Sequence, residues 1–286
     1  MNNFVKSHGL GNDYIVFDKK QINFSLSERA IKLICDRNFG IGSDGILLLE
    51  KINTEEFKVR IFNPDGSEAE KSGNGIRIIA KFICDYKYTD KKEFTINTLG
   101  GKVKAHILEE KNGRAKMIEV EMGKITFDST EIPVKGEKRE IIDEEIEIDG
   151  EKIRITCLSI GNPHCIFFVD NIDENRIKKI GPLLENHSLF PNRTNVQMVK
   201  VLSPEKIEIR IWERGAGYTL ASGSSSCAAA SAAYKKGLVG EKVEVIMPGG
   251  NLAVRIKPDW NVNLIGPVEE TFRGILSEEL LEKIIQ

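Results

Sequence analysis

The sequence predicts an α+β protein built from two copies of one domain. Short motifs recur at a constant spacing of 150 residues, and each copy sets strand-like runs and hairpins around one nearly apolar helix-like segment. Ser72-Gly73-Asn74-Gly75 returns as Ser222-Gly223-Ser224-Ser225, Arg60-Ile61-Phe62 as Arg210-Ile211-Trp212, and Gly11-Asn12 as Gly161-Asn162. Gly45-Ile46 aligns with Asn195-Val196, and Gly100-Gly101 matches Gly249-Gly250 with a shift of one. A period of roughly 20–50 residues would mean a solenoid. A copy of this length means two domains, and a pseudo-twofold between them would set equivalent elements on opposite sides of one cleft, a favoured ligand site.

In chain order, Phe4 to Asp13 starts as a strand and breaks at Gly9 and Gly11, and Tyr14 to Asp18 continues as a buried strand. His8 beside this turn is read as satisfying backbone groups, with catalysis as the alternative. Ser27 to Asp36 reads as a helix, Phe39 to Gly45 as a loop too rich in glycine to be regular, and Ile46 to Leu49 as a core strand. Lys58 to Phe62 alternates like a strand before the turn Asn63-Pro64-Asp65-Gly66-Ser67. Gly75 to Tyr86 carries Ile76, Ile79, Ala80 and Ile83 at helical spacing and is expected at the buried centre of its domain. Phe94 to Ile107 is a hairpin, and Lys111 to Glu151 reads as charged strands joined by exposed loops.

The second copy repeats this plan. Ile153 to Ser159 and Ile166 to Asp170 read as strands, Pro182 to His187 as a short helix, and Arg193-Thr194-Asn195 as a polar loop before the strand Val196 to Val199. Glu208 to Trp212 alternates, Ala228 to Ala233 is strongly helix-forming with Gly237 as its stop, and Val243 to Ile256 is a second hairpin. The expected domains are 1–122, with 272–286 returning to it, and 123–271.

Composition narrows the function. The net charge of −2 comes from interspersed signs without a Lys/Arg block, so nucleic acid is not an expected partner. No apolar run reaches the length of a membrane span, and the start lacks a signal-peptide core. The five cysteines show no CxxC spacing and read as buried thiols in a reducing cytoplasm. The four histidines are scattered, which argues against a histidine metal site.

Ser72 and Ser222 each precede a helix, where a serine caps and where free N–H groups and the positive end of the helix dipole suit an anion. Two such ends gripping one carboxylate would place the serines on opposite faces of the adjacent carbon. That is the geometry for taking a proton from one face and returning one to the other, with one base and one acid. Serine is a poor base without an activating partner, whereas a cysteine at a helix N-terminus has its pKa lowered to roughly 3.5–7.5. The geometry asks for thiols where the chain has hydroxyls.

Over essentially its whole length the chain resembles the diaminopimelate epimerase family. The matching segments are His8-Gly9-Leu10-Gly11-Asn12-Asp13, Phe62-Asn63-Pro64-Asp65-Gly66-Ser67-Glu68, Gly73-Asn74-Gly75-Ile76-Arg77, Gly161-Asn162-Pro163-His164, Asn195-Val196 and Glu213-Arg214-Gly215-Ala216-Gly217. The resemblance implies two similar domains, each a curled, mostly antiparallel sheet around a central helix, with the active site in the interdomain cleft. It implies cofactor-independent interconversion of LL- and meso-diaminopimelate, a late step toward lysine and peptidoglycan, without pyridoxal phosphate, and it suggests a homodimer.

Carried over residue by residue, the two catalytic cysteines of the family fall on Ser72 and Ser222, both departures. The groups that hold the reacting carboxylate correspond to Gly73, Asn74, Gly223 and Ser224. Those that hold the distal amino-acid end correspond to Asn12, Asn63, Asn162, Asn195, Glu213 and Arg214. His164 and Glu213 match residues that tune the thiols, and His164 is a candidate activator of one serine. The departures strike both bases and spare the ligand set, as in a pair of Cys→Ser exchanges made to capture a substrate, so the chain is expected to be inactive. The alternatives are a racemase of the same fold for histidine or another amino acid, and a natural non-catalytic binding protein.

Overall fold

A computed structural model describes residues 2–285. The chain divides into two units, the first running to Val120 and resuming at Gly266, the second spanning Glu121–Ile265. In the first, β1 (Asn3–Gly9) turns at Leu10-Gly11 into β2 (Asn12–Asp18), followed by α1 (Glu28–Cys35), β3 (Ile46–Lys51), β4 (Glu56–Phe62) and the short β5 (Glu68–Ala69). Then come α2 (Gly73–Asp85), β6 (Glu93–Thr98), β7 (Gly101–Lys111) and β8 (Arg114–Lys124). The pairs β1–β2, β3–β4, β6–β7 and β7–β8 are antiparallel, while β2–β3 and β4–β6 are parallel.

The second unit holds β9 (Glu144–Ile148), β10 (Glu151–Ser159), β11 (Pro163–Phe168), α3 (Glu174–Glu185), β12 (Asn195–Ser203), β13 (Lys206–Glu213), β14 (Gly217–Thr219), α4 (Gly223–Lys235), β15 (Lys242–Met247), β16 (Gly250–Ile256) and β17 (Asn261–Pro267). The chain closes with β18 (Glu269–Ile275) and α5 (Glu278–Ile285). Strand β18 pairs antiparallel with β1, as β9 pairs with β10 in the second unit. The tail thus supplies the first unit with a strand that the second draws from just upstream.

The duplication extends to register. Ile15 faces Ile46 across the parallel pair β2–β3, and Cys165 faces Val196 across β11–β12, both partners advanced by 150. Helices α2 and α4 begin and end 150 residues apart. Helix α2 touches β1, β2, β3 and β7, strands from both ends of its sheet, so the sheet must curl around it; α4 touches β10 through β13, β15 and β16 in the same way. A helix enclosed on all sides reads as apolar all round. Helix α4 meets this with Ala228–Ala230, Ala232 and Ala233, all fully buried.

On the outer face of the first sheet, Ile31 and Ile34 of α1 and Ile284 of α5 cluster with Phe4, Ile15, Phe17, Ile46 and Leu48. In the second unit, Ile177, Ile180 and Leu184 of α3 cluster with Ile155, Phe167, Val196 and Met198. Strands β2 and β3 are covered on both faces, which explains their unbroken apolar runs.

Three expectations change. The helix expected at Pro182–His187 is α3, which starts at Glu174 with Asp173 as its cap and contains Pro182. Proline costs a backbone hydrogen bond there, but the buried face Ile177, Ile180, Gly181 and Leu184 carries the helix through. Gly181 lets α3 approach closely, since a Cβ there would meet Trp212 Cγ at 2.6 Å. The charged segment 125–143 is not all exposed loop: Ile132 and Ile141 are fully buried. Helix α2 also buries two cations, Arg77 and Lys81; Lys81 pairs with Asp85 at 2.7 Å and donates to Ala115 O at 2.7 Å.

Candidate functional site

Ser72 caps α2 in extended geometry, φ −141° and ψ 118°, and its Oγ accepts the Gly75 N–H at 3.0 Å. Ser222 caps α4 with φ −147° and ψ 128° and accepts the Ser225 N–H at 3.5 Å. In both helices the first N–H groups, Gly73 and Asn74 or Gly223 and Ser224, have no acceptor within the helix, and the dipole adds positive potential. Each unit therefore presents a cap hydroxyl beside an N–H pair suited to a carboxylate.

In the first unit the Tyr14 hydroxyl lies 3.1 Å from Ser72 Oγ. Gly45 makes room for that ring, since a Cβ there would meet Tyr14 Cε1 at 2.7 Å and Phe62 O at 2.5 Å. Asn74 Nδ2 donates to Asn12 Oδ1 at 3.1 Å, while Asn12 Nδ2 donates to Asp44 at 2.9 Å. Buried Arg77 holds Asn74 Oδ1 at 2.7 Å and Gly73 O at 3.2 Å. Behind Asn12, Arg37 bridges Asp13 and Asp44, and Lys6 pairs with Asp13 at 2.9 Å. Burial works to raise the Asp13 carboxyl, but hydrogen bonds from Arg37 and Lys6 outweigh it and hold it below its ordinary value. Asn63 stands apart from this cluster: its side chain donates to Ser67 Oγ at 2.9 Å and closes the turn after β4. His8 Nδ1 accepts the Gly11 N–H at 3.4 Å, the structural role expected of it.

In the second unit Glu213 sits half-buried at the end of β13. Burial pushes its carboxyl above the ordinary value, opposed by hydrogen bonds from Thr219, at 2.9 Å, and Ser222. Asn195 accepts the Arg214 N–H at 3.0 Å and donates to Pro163 O at 2.9 Å, and the exposed Arg214 guanidinium donates to Asn192 O at 3.1 Å. His164 does not bond to Ser222. Its ring lies between Asn162, 3.1 Å from Nε2, and Gln197, 3.3 Å from Nδ1, and complete burial lowers its pKa to about 3. Such a ring is neutral at physiological pH, and both of its nitrogens face side-chain amides rather than the serine it was expected to activate.

Several residues of these half-sites were not among the site residues expected from the sequence: Tyr14, Asp44, Gln197, Thr219, Ser225 and Glu185. Buried Glu185 accepts Trp212 Nε1 at 2.7 Å, Gly215 N at 2.9 Å and Arg193 at 3.2 Å, and so shapes the Glu213-Arg214-Gly215 turn. The usable signals were Tyr14 standing 150 residues before His164, and a lone polar Gln197 within Val196-Gln197-Met198-Val199. Among the described residues no group of three His, Cys, Asp or Glu side chains is placed to hold a metal, and no helix is long and apolar enough to cross a membrane.

The profile of the diaminopimelate epimerase family matches residues 4–127 and 156–270. A protein named diaminopimelate epimerase 2 from Nostoc sp. is 49% identical over 278 residues, covering 97% of this chain and 96% of the relative. Diaminopimelate epimerases from Caldanaerobacter subterraneus and Methanococcus maripaludis are 45% and 43% identical, each over 95% of this chain and 98% of the relative. Among solved structures, a hydroxyproline epimerase from Agrobacterium vitis superposes with a TM-score of 0.70 at 13% identity, covering 95% of this chain and 90% of that one. A methylitaconate-delta-isomerase does so with a TM-score of 0.67 at 12% identity, covering 99% and 97%. At that identity the likeness shows the shared α+β fold.

Proposed function

Because the chain belongs to the diaminopimelate epimerase family, we propose that it binds 2,6-diaminopimelate with the family's ligand set and, as written, holds it without useful turnover. The family are isomerases of lysine biosynthesis, interconverting the LL and meso forms. The carrying observation is the matched pair of caps: Ser72 and Ser222 share φ and ψ within about ten degrees, each beside an N–H pair. In this reading Gly73, Asn74, Gly223 and Ser224 take the reacting carboxylate. Asn12, Asn63, Asn162, Asn195, Glu213 and Arg214 take the distal end. No cofactor takes part, and the setting is a reducing cytoplasm, in keeping with five buried free thiols.

Epimerisation breaks the Cα–H bond by proton transfer to a base on one face, leaves the electron pair on Cα and its carboxylate, and forms a new Cα–H bond from an acid on the other face. N–H groups at the helix ends stabilise the charge that builds on the carboxylate. A thiolate at such a helix end is a competent base. A serine needs a strong partner; Ser222 has the Glu213 carboxyl, whereas the side chain facing Ser72 is the Tyr14 phenol. Proton transfer on both faces therefore fails in this chain.

The test pairs the chain with its Ser72→Cys/Ser222→Cys form. Calorimetry is expected to show LL- and meso-diaminopimelate binding to both, and only the double variant to exchange the α-proton in heavy water. Absence of binding by the parent, or exchange by the parent at a rate comparable to the double variant, overturns the reading.

A homodimer fits the outer edge of the first unit. Strand β18 pairs β1 on one side and carries Phe272 and Ile275 at 45% and 70% exposure, apolar surface of the kind that marks an interface. Light scattering on the chain and on Phe272→Glu checks this; a monomeric parent rejects it.

A further inference from the structure

Gln197 is fully buried in the apolar strand β12. Its Nε2 donates to Ser225 Oγ at 3.0 Å, and its Oε1 stands 3.3 Å from His164 Nδ1. Ser225 is also fully buried, and its N–H is the one that Ser222 accepts. A continuous path thus runs from Asn162 through the His164 ring, the Gln197 amide and Ser225 to the cap of α4. In the first unit the positions 150 earlier than Gln197 and Ser225 hold Leu47 and Gly75, packed so that a Cβ on Gly75 would meet Leu47 Cδ2 at 3.1 Å. The fold closes this contact with apolar atoms in one unit and with a polar pair in the other. Burying an amide and a hydroxyl costs free energy unless both are hydrogen-bonded, so the pair has no merit as filler.

We propose that Gln197 is a positioning residue: it fixes the tautomer of His164 and, through the ring, the rotation of the Asn162 amide, and it ties both to the first turn of α4. A neutral imidazole donates through one nitrogen and accepts through the other. With the Gln197 oxygen facing it, Nδ1 carries the proton and Nε2 accepts. The structure sets Asn162 Oδ1 3.1 Å from Nε2; turned over about its amide axis, which leaves its shape unchanged, the half-buried Asn162 side chain presents its NH₂ to Nε2 and frees its carbonyl to accept from a ligand ammonium. Without Gln197 both tautomers are open, and with them both rotations of Asn162.

The role of Asn162 toward a ligand rests on the function proposed above; the tautomer does not. Long-range ¹H–¹⁵N spectra of histidine-labelled protein, with His164→Gln to assign the signal, read the tautomer directly in ligand-free protein. The expected result is a protonated Nδ1 and a pyridine-like Nε2 from pH 6 to 8. Gln197→Leu is expected to mix the tautomers and weaken diaminopimelate binding by about tenfold. If Gln197→Leu does not fold, Ser225→Ala, which frees the Gln197 amide to turn over, is expected to mix them as well. A protonated Nε2 in the parent, or a single unchanged tautomer in a folded variant, overturns the proposal. The expected tautomer shifts in a parent that binds no diaminopimelate would sink the function reading and leave this one standing.

Discussion

The Tyr14 hydroxyl lies 3.1 Å from Ser72 Oγ, and the residue 150 positions after Tyr14 is His164, whose ring bonds to Asn162 and Gln197 instead. Equivalent positions in the two units thus serve their serines differently. Ser72 Oγ already accepts from Gly75, so the phenol decides where its remaining hydrogen-bonding capacity points. In the Ser72→Cys/Ser222→Cys form, Tyr14→Phe is expected to lower kcat for α-proton exchange about tenfold and leave KM nearly unchanged, a loss of roughly 1.4 kcal/mol in the transition state. An unchanged kcat would make the contact incidental.

Under the proposed function, any exchange that the parent chain retains is expected to depend on Glu213. Burial raises its carboxyl above the ordinary value, and a base must be ionised, so residual exchange is expected to increase with pH through a midpoint above that value. Glu213→Gln abolishes it. A residual rate independent of both pH and Glu213 would point to a different base.

Acid stability reports on His164. Its folded pKa, about 3, lies below the ordinary 6.5 because burial disfavours the cation. A depressed folded value contributes stability that is complete above the unfolded pKa and is lost as pH falls toward the folded one. Between pH 7 and pH 5 this loss is on the order of 2 kcal/mol. Urea unfolding of His164→Gln is expected to lack that share of the acid loss; an equal slope in parent and variant contradicts it.

Arg214 is an exposed guanidinium tethered to Asn192 O, and its fork suits a second carboxylate. Arg214→Ala is expected to weaken diaminopimelate binding by roughly tenfold to a hundredfold, about 1.4–2.8 kcal/mol, and to affect a monocarboxylic amino acid far less. Equal losses in calorimetry with both ligands would make Arg214 structural.

Glu185 tests the support beneath that arginine. Its replacement by leucine leaves the Trp212 and Gly215 N–H groups without their acceptor. Trp212 is half-buried and Gly215 exposed, so only the indole N–H approaches the cost of about 1–3 kcal/mol for a buried orphan, and a drop of about 1–3 kcal/mol in urea stability is expected. A drop below 1 kcal/mol would mean that water replaces the carboxylate.

The duplication, most strands and the two capped central helices were legible in the sequence because each depends on near neighbours: apolar period, turn residues, and a serine one step before a helix. The extent of α3 was not. Pro182 is a poor helix residue by local rules, and only packing of Ile177, Ile180 and Leu184 on the second sheet, with Gly181 against Trp212, overrides it. The buried charges of α2 were hidden for the same reason. Arg77 finds acceptors inside its own first turn, but the Lys81 acceptor at Ala115 is more than thirty residues away.

The site divides along the same line. The sequence by itself marked the candidates, since the 150-residue echo and the family motifs pick out Ser72, Ser222 and the proposed ligand set. The tertiary structure decided what those residues touch. It put a phenol on Ser72, a carboxyl on Ser222, and Gln197 rather than a serine on His164. Those partners come from strands and turns distant in the chain, and a buried polar group must bond to whatever the fold brings within about 3 Å of it.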